Sequence, residues 1–165
     1  PLIEALETDP RQNLPYIVHA LGCLGDASAV PALIGYTKDE DPAVRLQAVI
    51  ALGQLGTPSA GEALTESLAD VEPNVRWDAA IGLAKMGDGR GKPVVLDLLD
   101  REYLDRFDAV DAAECQHILL MTIRASAGLA DAEILARVGQ LSESDPDPEV
   151  RKAARDQFEQ ANELS

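Results

Sequence analysis

The chain has 165 residues and a mass of 17.6 kDa, enough to bury a core and, on length, to form one domain. A net charge of -15 and a pI near 4.3 set its surface against phosphate backbones and anionic lipid, which disfavours nucleic acid and membrane surfaces as partners. The 46% apolar and 26% charged shares are those of a folded protein, and no stretch approaches the roughly 18 apolar residues of a membrane helix.

Taken in chain order, the pattern is helical throughout. A short helix is expected at Leu2–Leu6, preceded by neither the basic nor the apolar region of a secretory leader. The absent initiator Met points to a processed or trimmed chain. The next helix closes on Leu21-Gly22-Cys23-Leu24-Gly25, and its partner carries Val30, Ala32, Leu33 and Ile34. In residues 41–56, Val44, Ala48, Leu52 and Leu55 form one helical stripe between an Asp41-Pro42 start and a Gly56 stop. Thr57-Pro58-Ser59 opens a helix with Ala63, Leu64 and Leu68. Residues 72–87 form another, and Val94, Val95, Leu96, Leu98 and Leu99 mark its partner after Gly91. Residues 101–112 break the rhythm with an acidic insertion that carries Tyr103 and Phe107. A long helix through Cys115, Ile118, Leu119, Thr122, Ile123 and Ser126 follows, then a turn at Ala130-Asp131. Ile134, Leu135, Val138 and Leu141 mark the next helix, and the last ends near Asn162. That makes about ten helices, and no segment alternates like a half-buried strand.

The pattern repeats. Residues 41–56 superpose on 72–87 with Arg45 laid on Arg76, and the same shift brings Leu21–Gly25 onto Leu52–Gly56. Another copy starts at Asp147-Pro148-Glu149-Val150-Arg151, more than two periods beyond Arg76, so one intervening unit is longer. Units of about 9–40, 41–71, 72–105, 106–146 and 147–165 make up one domain over residues 1–165. A pair of short helices cannot bury its own apolar stripe, so stacked neighbours must supply the core.

The segments Asp41–Gly56, Glu72–Gly87 and Asp147–Ala154 resemble HEAT repeats, and more closely the short HEAT-like repeat of phycobilin lyases, Asp-Pro-x-Val-Arg-x-x-Ala-Ala-x-Ala-Leu-Gly-x-Leu-Gly. The resemblance implies an all-α, right-handed α-α superhelix of about four to five helical hairpins. It also implies an Asp with an Arg at a fixed offset after it: Asp39 with Arg45, Asp70 with Arg76, and Asp145 with Arg151. In such proteins these side chains form a hydrogen-bonded ladder between units, because a partly buried guanidinium must find acceptors. The first unit has Thr8 and Leu14 at these positions, so the ladder is expected to stop there.

Catalytic chemistry finds little support. His19 and His117 each lack a carboxylate at i+1 or i+4, and the two cysteines, Cys23 and Cys115, have no ligand-like spacing. Neither a metal nor a cofactor is expected, and Cys23 reads as a small packing residue. Deoxyhypusine hydroxylase, a HEAT-like enzyme, holds iron through His-Glu pairs, and no His-Glu dipeptide occurs here. The cysteine usage fits a reduced, cytoplasmic protein.

The resemblance also implies that the helix beginning Val-Arg lines a concave face. Its free positions include Tyr16, His19, Leu46, Gln47, Ile50, Trp77, Asp78, Ile81 and, in the longer unit, Met121. Leu46 with Ile50, and Trp77 with Ile81, form a second apolar stripe beyond the one an amphipathic helix needs. Either neighbouring helices or the insertion with Tyr103 and Phe107 cover it, or it is an open groove for a partner segment. The sequence is read as a non-catalytic protein-interaction scaffold with that groove as its site. The alternative is a lyase-like or accessory subunit acting on a small ligand in the same concavity, and self-association through the ends of the stack is a further possibility.

Overall fold

A computed structural model describes residues 11–163, of Asn162 the backbone alone; the expected helix at 2–6 lies outside the described residues. Among the described residues there are ten α-helices and no strand. They are α1 (Leu14–Leu24), α2 (Val30–Tyr36), α3 (Pro42–Leu55), α4 (Pro58–Ser67) and α5 (Pro73–Lys85), then α6 (Lys92–Leu98), α7 (Arg101–Leu104), α8 (Ala112–Ser126), α9 (Ala132–Ser144) and α10 (Pro148–Glu163). No helix among them is long and apolar enough to cross a membrane.

The helices begin where the sequence offers caps. The Asp41 carboxylate accepts from the Ala43 amide, Thr57 Oγ1 from the Ala60 amide, and Asp131 from the amides of Glu133 and Ile134. Each satisfies an amide that the first helical turn leaves unpaired. The hairpin turns are periodic as well. Gly25, Gly56 and Gly87, one in each successive period, take left-handed φ values of 68°, 60° and 72°. Such a conformation costs glycine nothing and a side-chain-bearing residue about 1 kcal/mol or more. The corresponding turn of the longer unit comes at Ala130 (φ 44°), beyond one period from Gly87, because the insertion lengthens that unit.

The helices stack in two layers. Helices α1, α3, α5, α8 and α10 contact one another in that order, and α2, α4, α6 and α9 pack behind α3, α5, α8 and α10. Small residues bring the first layer close together. A Cβ on Gly53 would lie 3.0 Å from the Gly82 Cα, and one on Gly22 would lie 2.7 Å from the Ala51 Cβ.

The apolar interior forms two clusters that meet on α5. Val75, Ala79 and Leu83 face the first units, while Trp77, Ala80, Ile81 and Ala84 face the later ones. This explains the second apolar stripe of α5: the helix has buried neighbours on both sides.

Candidate functional site

The inner layer divides into an open half and a closed half. On α1 and α3, Tyr16 is 76% exposed, His19 and Cys23 are exposed, and Leu46, Gln47 and Ile50 are half-buried. Cys23 is therefore not the packing residue the stripe suggests; it points to solvent from the same side of α1 as Tyr16 and His19. The Oε1 atom of Gln47 lies 3.0 Å from His19 Nδ1, and His19 Nε2 lies 3.5 Å from Cys23 Sγ. In a protein with a net charge of -15, α1 has no Asp, Glu, Lys or Arg, and α3 has Arg45 alone.

On α5 and α8 the expected groove is closed. Trp77 is 8% exposed and Ile81 5%, so neither belongs to an open surface. The insertion covers Trp77. Phe107 packs edge-on against Trp77 with ring centroids 4.8 Å apart, Tyr103 lies at 6.4 Å, and the Trp77 indole N–H donates to the Tyr103 hydroxyl at 3.3 Å. Edge-to-face aromatic packing of this kind contributes about 1 kcal/mol per pair beyond the area it buries. Met121, on α8, is half-buried against the same cluster. A cleft of about 460 Å³ remains beside Trp77, lined by Asn74, Val110, Asp111 and Glu114 among others.

Asp78 is half-buried at the edge of this closed half. Burial raises its carboxyl to about 6, against the opposing pull of Lys85 and His117 and with a further push from Glu114. It is a group whose charge changes close to neutral pH, which suits proton exchange as well as docking. Among the described residues, no group of three or more His, Cys, Asp or Glu side chains could hold a metal ion.

The Asp and Arg residues make a ladder of definite form. Arg45 donates Nε and Nη2 to the Asp70 carboxylate at 2.8 and 3.0 Å, and Nη1 to the Asp39 and Glu40 carbonyls. Each Arg thus binds carbonyls of the turn just before its own helix, and Arg45 also grips the Asp70 carboxylate in the turn before α5. Arg76 and Arg151 repeat the backbone half, to the carbonyls of Asp70 and Val71 and of Asp145 and Pro146. The ladder does not stop at the first unit. Arg11, just before Leu14, reaches Asp39 at 2.6 Å. At the far end Arg101, from the insertion, grips Asp145 through two bonds of 2.6 and 2.8 Å. The repeat pattern hides both, because neither arginine occupies the motif position.

Residues 1–72 match the family model of HEAT repeats. In three dimensions the chain is similar to a chain from the complex of CpcE and CpcF of phycocyanin lyase from Nostoc sp. PCC7120, with 24% identity and a TM-score of 0.73. The fold is that of a HEAT-like solenoid. The match covers 99% of this chain and 66% of that one, so the chain spans just under two thirds of that neighbour. Human deoxyhypusine hydroxylase in complex with glycerol also matches, at 16% identity and a TM-score of 0.41, over 96% of this chain and 83% of that one. No curated protein matches the chain.

Proposed function

We propose that this chain is a non-catalytic scaffold that docks a partner protein on the open half of its inner layer, over Tyr16, His19, Leu46, Gln47 and Ile50. The observation that carries the reading is the 76% exposure of Tyr16 on an uncharged helix face of a strongly acidic protein. Tyr is favoured at interface anchors, since it brings a large rigid ring and a polar tip at little entropic cost. Half-buried Leu46 and Ile50 add apolar floor beside it. Carboxylates outside the patch would speed encounter with a partner that is apolar with basic flanks. The similarity to a chain of a two-protein complex supports a protein partner.

The test compares pull-downs from the source cell by wild type, a Tyr16→Ala/Ile50→Asp double variant, and a Val71→Asp control. Val71 is 80% exposed in the turn between α4 and α5 and is not on α1 or α3, which carry the patch. A partner kept by wild type and the control, and lost by a double variant of unchanged helicity, is the expected result. Equal retention by all three would place the docking site elsewhere.

A second reading is favoured by Asp78. A carboxyl that titrates at about 6, near Lys85 and His117 and close to a cleft beside Trp77, suits a lyase-like or accessory subunit that handles a small ligand. The similarity to a phycocyanin lyase chain supports this reading too. A chromophore that copurifies with wild type but not with Asp78→Asn would favour it over the scaffold.

A further inference from the structure

Cys23 does not stand alone on its face. Its Sγ lies 3.5 Å from His19 Nε2, one helical turn away, and the other ring nitrogen lies 3.0 Å from Gln47 Oε1 on the neighbouring helix. An amide oxygen can only accept, so the bond to Gln47 requires the proton on Nδ1. That leaves the Nε2 lone pair aimed at the thiol. Nucleophile, base and orienting group are therefore arranged in sequence, contributed by α1 and α3.

The charged groups on and beside these two helices are engaged elsewhere. Helix α1 carries no acid or base besides His19 and Cys23 and the Tyr16 phenol, and the one ion on α3, Arg45, is bound to Asp70. Arg11, in the turn before α1, is paired with Asp39 and Glu40, and Asp26, in the turn after it, accepts from the Ser28 amide. The second cysteine is the internal contrast. Cys115 is 3% exposed, and burial pushes its thiol up despite the neighbouring Arg101.

We propose that Cys23 is a reactive-thiol site, with His19 as its base and Gln47 as the residue that orients His19, open to neutral α,β-unsaturated carbonyl compounds. Among the described residues α1 has no Asp, Glu, Lys or Arg and the one ion of α3 is paired, so these helices offer nothing to an anionic reagent. The class also suits the geometry, because the addition needs neither a leaving group nor an oxidant. The thiol proton passes to His19 Nε2. The sulfur electron pair then forms the S–C bond at the β-carbon, the C=C pair moves to the α-carbon, and the imidazolium returns the proton there. The product is a thioether and the imidazole is regenerated.

The test uses the intact chain and N-ethylmaleimide, with adducts at Cys23 and Cys115 followed by peptide mass spectrometry at pH 6.5. Cys23 is expected to react about fivefold faster than N-acetylcysteine, and Cys115 far more slowly. His19→Gln should bring Cys23 down to the rate of the free thiol. Gln47→Ala should give an intermediate rate, and Gln47→Glu, which keeps an acceptor on Nδ1–H, should restore it. In urea both cysteines should react alike, and circular dichroism checks that each variant is folded. A wild-type Cys23 no faster than N-acetylcysteine, or a rate unchanged in His19→Gln, would overturn the proposal.

Discussion

Arg45 on α3 and Asp70 in the turn before α5 are joined by parallel hydrogen bonds of 2.8 and 3.0 Å, with both side chains about nine-tenths buried. Burial alone would raise the Asp70 carboxyl, but the bonds from Arg45 and the Glu72 amide outweigh it and hold the group below its ordinary value. Asp70→Ala leaves a buried guanidinium without its carboxylate and should cost about 3 kcal/mol. The Arg11 pair is different: its guanidinium side chain is 53% exposed, and Arg11→Ala should cost less than about 1 kcal/mol. Urea denaturation of the two variants side by side checks the contrast; equal losses would show that burial does not set the strength of the ladder.

The insertion is fastened at two points, by Phe107 and Tyr103 on Trp77 and by Arg101 on Asp145. Trp77 is the one tryptophan in the chain, so its emission reports the cover directly. Phe107→Ala should shift the emission to the red and raise quenching by acrylamide at unchanged helicity. Arg101→Ala should do the same and also lower stability by about 3 kcal/mol, because it strands a carboxylate whose side chain is 1% exposed. Unchanged emission in both variants would mean that α5 and α8 bury Trp77 without the insertion.

Asp78 makes stability depend on pH with a definite sign. Its carboxyl titrates at about 6 in the fold against an ordinary 3.8, so the native state binds its proton more tightly than the unfolded chain does. The charged form is penalised fully above pH 6, and the penalty fades as pH falls from 6 towards 3.8. Asp78→Asn should therefore stabilise the protein by on the order of 2–3 kcal/mol at pH 7.5 and by almost nothing at pH 4. Thermal melts of the pair across this range test it, and a pH-independent difference would place the effect in packing rather than charge.

The close approach of α3 and α5 depends on Gly53 meeting Gly82, where an added Cβ would stand 3.0 Å from backbone. Gly53→Val should force the two helices apart and cost about 2–3 kcal/mol. Gly35, with nothing within 4 Å of an added Cβ, serves as the control, and Gly35→Ala should be neutral or slightly stabilising. Equal melting temperatures for the two variants would contradict the packing described.

Much of the architecture was legible in the linear pattern. The regular repeat spacing, the Asp-Pro starts and the glycine stops are local signals, each backed by a cap or a left-handed turn that forms within a short stretch of chain. The recurrent Asp and Arg were visible for the same reason. What the pattern could not supply was the partner of each: Arg11 and Arg101 lie outside the motif, and they reach Asp39 and Asp145 across 28 and 44 residues.

The sequence by itself determined nine of the ten described helices and their pairing into hairpins, because periodicity and capping are short-range properties of the chain; the one-turn α7 inside the insertion is too short to carry such a period. Only the tertiary structure decided which apolar stripe meets water. Leu46 and Ile50 remain half-open, whereas Ile81 is buried and Trp77 lies beneath an insertion that comes later in the chain, beyond α6. The tertiary structure also placed Gln47 against His19, and so His19 between it and Cys23. Burial and hydrogen bonding between units depend on how neighbouring repeats pack, which no single repeat encodes.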